Sequence, residues 1–372
     1  MPASPDETIE RARRYATIRY RLLLVDVIGG MAFLWAYQAL GGSDATAQWA
    51  AARFQSEPLR LFGFLAVFGL ASYLVFLPLH FYSGFLLEHQ FGLSRLRLGG
   101  WAVREAKQAL LGGALGLLLM EGWYALLRHA PQAWTVLATV GWVFVSVVIA
   151  RVFPTWLLPM FYKTEPLADA GLTTRLLALC ERAGVPALGV FRVALGVETR
   201  KANAALAGVG RTRRVLLSDT LLEQFTPEEI ETVLAHELAH QRYRHITKGL
   251  ALAAAGSWVA FSLIGLAAAV WVPALGLQGL ADPAGVPVLL LALSLVGLIG
   301  MPVQNGISRR FEWQADRFAV ELTRQPVAFA AALRRLAQLN LADPAPPHWI
   351  EWLFYDHPAI TRRIEAAEAA AV

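Results

Sequence analysis

The sequence is poor in charged residues and has almost no cysteine. Only 16% of its 372 residues are charged, against roughly 25% in an ordinary soluble domain. A hydrophobic fraction of 56% and a mean hydropathy of +0.46 also argue against a water-soluble globule. The single cysteine, Cys180, excludes an internal disulfide framework and a zinc site built from cysteines. No low-complexity tract, internal repeat or nucleic-acid-binding motif stands out.

Six apolar stretches are long enough to cross a bilayer, which takes roughly 17–25 helical residues. Their approximate bounds are 22–40, 61–79, 109–127, 133–150, 249–272 and 286–303. We find no obvious further spanning helix between residues 41 and 60. The sequence therefore predicts an all-α polytopic membrane protein with about six spanning helices, and a seventh is left open.

The basic residues predict how these helices are oriented. If the N-terminus is cytoplasmic, only Arg53, Arg60 and Arg128 of the 33 Lys and Arg residues lie on the opposite side of the membrane. Arg151 lies at the cytoplasmic end of the fourth span. Because positive charge accumulates in cytoplasmic loops, we expect both termini in the cytoplasm. The net charge of +5 then reflects topology, and nucleic-acid binding loses its main support. A cleavable signal peptide is the alternative for the first span, but its long basic lead favours a retained anchor.

The polar segments after the fourth and sixth spans are both predicted to be cytoplasmic. We therefore expect two domains: a membrane domain, 1–162, and a second domain, 163–372, which the spans at 249–272 and 286–303 interrupt. The second domain mixes helical and strand signals, which predicts a small α+β unit.

Local signals are clearest in the first polar segment. We predict a helix over 173–183, then two strands near 202–207 and 213–217 joined by the turn Gly208–Val209–Gly210. A further helix begins at the capping box Thr226-Pro-Glu-Glu229, in which proline occupies the first helical position.

That last helix carries the motif His236-Glu237-Leu-Ala-His240. Histidines four residues apart lie one turn apart on one helical face, so both can bind a single Zn²⁺, with Glu237 beside the metal-bound water. The alternative is an accidental spacing on an amphipathic helix, which the capping box disfavours. His245 lies five residues after His240, on a different face, and is predicted to be a surface residue.

A catalytic zinc usually has a third protein ligand and an open position for water. Glu312 and Asp316, just after the sixth span, lie four residues apart and therefore share a helical face. One of them can bind the metal while the other orients a ligand histidine. Taken alone, two carboxylates with neighbouring arginines are more typical of a solvated helix.

Together, His236-Glu237-Leu-Ala-His240 and Phe311-Glu312-Trp-Gln-Ala-Asp316 resemble the M48 family of membrane zinc metallopeptidases. The resemblance is strongest to the Ste24 type, the CAAX prenyl protease 1 group. Further segments resemble that group in the same order along the chain, and they are Tyr82–Gly92, Pro154–Lys163, Lys201–Ala204 and Asp356–Arg363. Eukaryotic members have seven spans where we count six, so we expect the intramembrane chamber of the family to be smaller or more open here.

The resemblance implies a zincin-like catalytic domain and assigns roles to five residues. Glu312 would be the third zinc ligand and Asp316 its partner. His357 would help to stabilise the oxyanion, and Arg363 would stabilise the carboxylates of the site. Asn203, on an edge strand, would bind the substrate backbone. From the residues alone, His357 can equally be a helix cap and Asn203 a turn residue.

We therefore predict a zinc-dependent membrane endopeptidase with one Zn²⁺ per chain and Glu237 as the general base. The resemblance implies cleavage of C-terminal CAAX tripeptides from prenylated proteins, or of some non-prenylated segments. However, the Ala-, Leu- and Arg-rich composition is typical of a GC-rich bacterium, where prenylated CAAX proteins are not expected. Alternatives are an HtpX-like protease that degrades misfolded membrane proteins, and a catalytically idle scaffold that binds peptides. The membrane would be the inner membrane of a bacterium or the endoplasmic reticulum of a eukaryote.

Overall fold

The computed structural model describes residues 5–208 and 213–371. Within these ranges, six helices are long and apolar enough to cross a membrane. They are Pro5–Ala39 (α1), Glu57–Phe81 (α3), Leu98–His129 (α5), Trp134–Val152 (α6), His245–Ala274 (α11) and Val286–Thr323 (α12). They match the six predicted apolar stretches in order, with residues 40 and 133 falling just outside α1 and α6. The prediction of a helical polytopic membrane protein is therefore confirmed.

Shorter helices connect and flank these six. They are Gly42–Arg53 (α2), Leu87–Gln90 (α4), Leu158–Phe161 (α7), Ala170–Arg182 (α8), Asp219–Gln224 (α9), Pro227–Arg242 (α10), Pro326–Asn340 (α13), His348–Phe354 (α14) and Ile360–Ala369 (α15). One π-helical turn, Tyr82–Leu86, joins α3 to α4, and a second, Phe153–Leu157, joins α6 to α7. A 3-10 turn, Pro283–Gly285, precedes α12.

Helix α2 occupies the segment in which the sequence showed no further span. Its 12 residues are too few to cross a bilayer. The Ser43 hydroxyl donates a hydrogen bond to the Ala284 carbonyl at 2.6 Å, which fixes α2 to the turn before α12. Within this described segment the expectation of no spanning helix is confirmed, but the residues are helical, which hydropathy alone did not indicate.

The spanning helices pack around an aromatic core. Phe64 of α3, Tyr124 of α5 and Ile264 of α11 are at most 2% exposed and belong to one buried cluster. In contrast, Leu266 and Ile299 project outward and are 74% and 77% exposed. Such a broad apolar outer surface is costly in water and suits contact with hydrocarbon.

A four-stranded sheet lies between the spanning helices in sequence. Its strands are Thr164–Pro166 (β1), Gly189–Val193 (β2), Ala204–Ala207 (β3) and Arg214–Ser218 (β4). Their order is β1-β2-β4-β3, with β3 antiparallel to β4 at one edge. The predicted hairpin is therefore confirmed, although residues 209 and 210 of its predicted turn lie outside the described residues. Strands β1 and β2 were not predicted, because they are short and lack a tight-turn signal.

The predicted helices around the sheet are confirmed, and the first begins slightly earlier than expected. Asp169 caps α8 by accepting a hydrogen bond from the backbone N–H of Leu172 at 2.9 Å. Thr226 and Glu229 form both hydrogen bonds of the capping box at the start of α10. This cap fixes where α10 begins and thereby sets the helical face on which its histidines lie.

Candidate metal centre

Helices α10 and α12 pack against each other and bring the two sequence motifs together. Small side chains are buried on both helices, among them Ala235 and Ala239 on α10 and Ala315 and Ala319 on α12, all 0% exposed. Because alanine occupies little volume, the two backbones approach closely and the longer polar side chains meet between them.

His236, His240 and Glu312 converge on one point. The Nε2 atoms of the two histidines are 3.2 Å apart. Each lies 3.3 Å from an oxygen of the Glu312 carboxylate, Oε2 for His236 and Oε1 for His240. Among the described residues, they are the group of His, Cys, Asp or Glu side chains whose ligand atoms lie close enough to one another to hold a metal ion.

These distances fit a metal ion. A tetrahedral site with metal–ligand bonds of about 2.0–2.1 Å has ligand–ligand edges of about 3.3 Å, which matches the distance between the two Nε2 atoms and the distance from each of them to its nearer Glu312 oxygen. Two facing Nε2 atoms cannot both donate a hydrogen to each other. In addition, Glu312 Oε2 is buried without a hydrogen-bond partner among the described residues. A cation between the three side chains satisfies all of these atoms.

Asp316 and Arg363 support His236 from the side away from this point. The Nδ1 atom of His236 lies 2.9 Å from Asp316 Oδ1. Arg363 contacts both Asp316 oxygens, through Nε at 2.8 Å and Nη2 at 2.6 Å. Burial lowers the pKa of His236, but the neighbouring carboxylates of Asp316 and Glu312 outweigh this and raise the pKa to about 9. The surroundings of His236 therefore favour positive charge.

His357 reaches the same site from the segment between α14 and α15. Its Nε2 lies 3.3 Å from Glu312 Oε2, and its Nδ1 lies 2.7 Å from Asp356 Oδ1. The side chain is half exposed. The hydrogen bond to Asp356 raises the pKa of His357 against the opposing effect of burial, and the charge of Glu312 adds to the increase. The raised pKa favours the doubly protonated ring, in which Nδ1 donates to Asp356 and Nε2 presents an N–H group to the site.

Glu237 and the edge strand line one cavity beside the histidines. The cavity has a volume of about 360 Å³ and extends between α11 and α12, where Leu252 and Ile307 line it. Glu237, His240 and Leu206 of β3 also line it. The strand therefore runs past the site.

Asn203 lies immediately before β3, at the sheet edge. Its backbone N–H donates to Ser218 Oγ, and its carbonyl accepts from the Ser218 N–H, both at 3.0 Å. The residue is exposed.

The prediction that His245 is a surface residue is wrong. Its side chain is 4% exposed, and its Nδ1 lies 3.1 Å from Nδ1 of His240. The prediction assumed one uninterrupted helix. Instead, α10 ends at Arg242, and Arg244 adopts a left-handed conformation (φ 56°) that turns His245 back towards the site. Because this turn contains no glycine or proline, no local signal in the sequence indicates it.

Comparisons with known proteins agree with this geometry. The model of the CAAX prenyl protease N-terminal family, described as five membrane helices, matches residues 2–163, and the model of peptidase family M48 matches residues 166–371. Within the described part of the first range, residues 5–163, four helices are long and apolar enough to span a membrane.

Individual relatives match over most of the chain. The uncharacterized metalloprotease YhfN of Bacillus subtilis is 27% identical over 96% of this chain and 84% of its own length. A CAAX prenyl protease 1 homolog of Caenorhabditis elegans is 26% identical over 94% of this chain and 82% of its own. The crystal structure of S. mikatae Ste24p superposes with a TM-score of 0.88 at 24% identity, covering 98% of this chain and 90% of that one. This last likeness shows the fold.

Proposed function

Because this chain belongs to peptidase family M48 and is a membrane metallopeptidase of the Ste24 type, we propose that its metal is zinc, bound by His236, His240 and Glu312. The observation that carries this proposal is the convergence of the three side chains: the two Nε2 atoms lie 3.2 Å apart, and each lies 3.3 Å from one of the two Glu312 carboxylate oxygens. Two imidazoles and one carboxylate are a ligand set typical of catalytic zinc.

When bound, zinc acts as a Lewis acid that lowers the pKa of water towards neutrality. Glu237 accepts the proton of the attacking water and then donates it to the leaving amine nitrogen. Its place in the cavity wall next to His240 supports this role. The N–H group of His357 stabilises the negative charge that develops on the carbonyl oxygen of the substrate. Asp316 and Arg363 keep His236 oriented throughout.

The substrate binds as an added strand along β3. That strand is paired with β4 on one side and ends the sheet on the other. An extended peptide can therefore take up its free backbone hydrogen bonds, which would align the scissile carbonyl with the site. Asn203, exposed where the strand begins, hydrogen-bonds the peptide backbone. These residues all belong to the proposed catalytic domain, 163–372, as distinct from the membrane domain, 1–162.

The cleaved bond lies close to the membrane. The cavity beside Glu237 continues between two spanning helices, where Gly249 and Leu252 of α11 face Gln304 and Ile307 of α12. A peptide attached to a lipid-embedded group can bind there without leaving the bilayer surface. The substrate is therefore a prenylated CAAX segment or a segment of a membrane protein. The distribution of Lys and Arg supports a cytoplasmic catalytic domain and cytoplasmic termini.

The test is cleavage by the purified protein in detergent, with Glu237→Gln as the matched control. Three substrates separate the alternatives: a farnesylated CAAX peptide, the same peptide without the prenyl group, and an unfolded membrane protein. Zinc-dependent release of the tripeptide, absent in the control, is expected. Cleavage of the unfolded membrane protein alone would favour a protease that degrades misfolded membrane proteins. Stoichiometric zinc with no cleavage of any of them would favour the idle scaffold, and a protein that binds no zinc would overturn the metal assignment.

A further inference from the structure

A series of hydrogen-bonding side chains leads from His240 to His245, at the start of α11, and on to Gln314 of α12. Nδ1 of His240 lies 3.1 Å from Nδ1 of His245, and Nε2 of His245 lies 3.0 Å from Oε1 of Gln314. We propose that His245 is a positioning residue, which accepts a hydrogen bond from His240 and is itself held by Gln314. This inference rests on the proposed zinc site, because it concerns the ring that presents one of the ligand nitrogens.

The direction of each hydrogen bond follows from counting protons. Nε2 of His240 faces Glu312 and His236, so it is the nitrogen that binds metal and carries no proton. A neutral imidazole has one N–H group, which for His240 is then at Nδ1. Nδ1 of His245 must accept this hydrogen, so the single proton of His245 is at Nε2. That N–H donates to the Gln314 side-chain carbonyl oxygen. Both nitrogens of His245 then have a hydrogen-bond partner.

Packing holds the His245 ring in the orientation that these hydrogen bonds need. Its plane is parallel to that of Phe311, with an angle of 8° and ring centroids 4.3 Å apart. Tyr243 lies on the ring as well, at 5.8 Å and 25°. His245 begins α11, whereas Phe311 and Gln314 belong to α12. Helices α11 and α12 therefore meet at this ring.

The two ligand histidines are supported by chemically different partners. His236 pairs with the carboxylate of Asp316, whose charge Arg363 balances. His240 pairs with a neutral imidazole, which fixes the ring and its tautomer without adding another negative charge to a buried site. Loss of such a partner typically weakens metal binding by about 10–100-fold.

Two substitutions at residue 245 separate positioning from packing. His245→Asn keeps an acceptor, its Oδ1, close to where Nδ1 of the imidazole lies, but loses the aromatic ring. His245→Phe keeps a ring that can stack on Phe311 but has no acceptor. A positioning role predicts that the first variant resembles the parent and the second does not, whereas a packing role predicts the opposite order. His348→Phe, at an exposed histidine on α14, is the matched control.

The measurement is zinc affinity by chelator competition on the full-length protein, together with the absorption spectrum of the Co²⁺-substituted form. We expect zinc to bind about 10–100-fold more weakly to His245→Phe, with an altered Co²⁺ spectrum, and about as tightly to His245→Asn as to the parent. Melting temperatures in chelator check that each variant folds. Unchanged affinity in His245→Phe, or a larger loss in His245→Asn, would overturn the proposal. If the parent itself binds no zinc, the proposed function fails and this inference fails with it. Normal zinc in the parent but no loss in His245→Phe refutes the inference alone.

Discussion

Arg363 contacts both oxygens of the Asp316 carboxylate, at 2.8 and 2.6 Å, and both residues are less than 10% exposed. The two lie 47 residues apart in the sequence, on α15 and α12. This bidentate ion pair neutralises a buried carboxylate that also contacts His236 Nδ1. The pair therefore links the packing of the C-terminal helix to the orientation of a histidine at the site.

Breaking this pair should destabilise the protein and weaken metal binding. Arg363→Met removes the cation but keeps much of the side-chain volume, which leaves Asp316 buried without a partner. We expect a loss of about 3–5 kcal/mol in the free energy of unfolding, measured by thermal unfolding in detergent. The double variant with Asp316→Asn should lose less than the sum of the two single changes, because the second change removes the unpaired charge. Additive losses would contradict the pairing.

The motif on α10 should separate metal binding from turnover. Glu237→Gln removes the proton acceptor but no proposed ligand, so we expect full zinc content and a loss of activity of at least about 10²–10⁴-fold. His236→Ala removes a ligand and should lose both zinc and activity. Metal analysis and peptide cleavage measured on the same preparations check this. Substantial activity in Glu237→Gln would show that another group accepts the proton.

Local signals explain which parts of this arrangement could be predicted from the sequence. Long apolar stretches predicted the six spans, and the capping box at Thr226 predicted the helix that carries His236 and His240, because both depend on neighbouring residues. From the residues alone, either Glu312 or Asp316 could be the third ligand, and only the resemblance to a family singled out Glu312. The approach of Glu312 to these histidines depends on how α10 packs on α12, which spacing within one segment does not encode.

Other features depended on backbone geometry that the sequence does not signal. The left-handed residue Arg244 reverses the chain and buries His245, so a spacing rule for continuous helices gave the wrong environment. Helix α2 is short and its residues are not strongly apolar, so a search for spanning stretches passed over it. Strand β2 pairs with β4, from which it is separated by a loop and by β3, and non-local pairing of this kind leaves little trace in a short sequence window.

The imidazole of His357 should contribute to turnover without contributing to metal binding. His357→Leu removes the N–H group that faces the site, and we expect kcat to decrease by about 10²–10³-fold with zinc content unchanged. His357→Gln places an amide N–H close to the position of Nε2 and should recover part of this loss. Asp356→Asn, which loosens the ring, should have a smaller effect. Loss of zinc in His357→Leu would instead indicate a role in holding the metal.

The last prediction concerns how the N-terminal half of the chain supports the edge strand. Lys201, two residues before Asn203, forms an ion pair with Glu88 of α4, with Nζ 2.9 Å from Oε2. Backbone hydrogen bonds reinforce this contact, because Arg200 N–H donates to the Leu93 carbonyl at 2.9 Å and Arg95 N–H donates to the Glu198 carbonyl at 2.8 Å. The chain leading into β3 is therefore held by a segment that follows the second spanning helix.

Glu88→Gln should therefore weaken substrate binding more than it slows the chemical step. The ion pair is only partly buried, so we expect its loss to cost about 1 kcal/mol, which corresponds to a roughly fivefold increase in KM with little change in kcat. Steady-state cleavage of a peptide substrate measures both constants, and Glu181→Gln, at an exposed position on α8, is the matched control. A strand that only aligns the peptide acts mainly through substrate binding. A roughly fivefold decrease in kcat with KM unchanged would therefore mean that Glu88 affects the metal site itself.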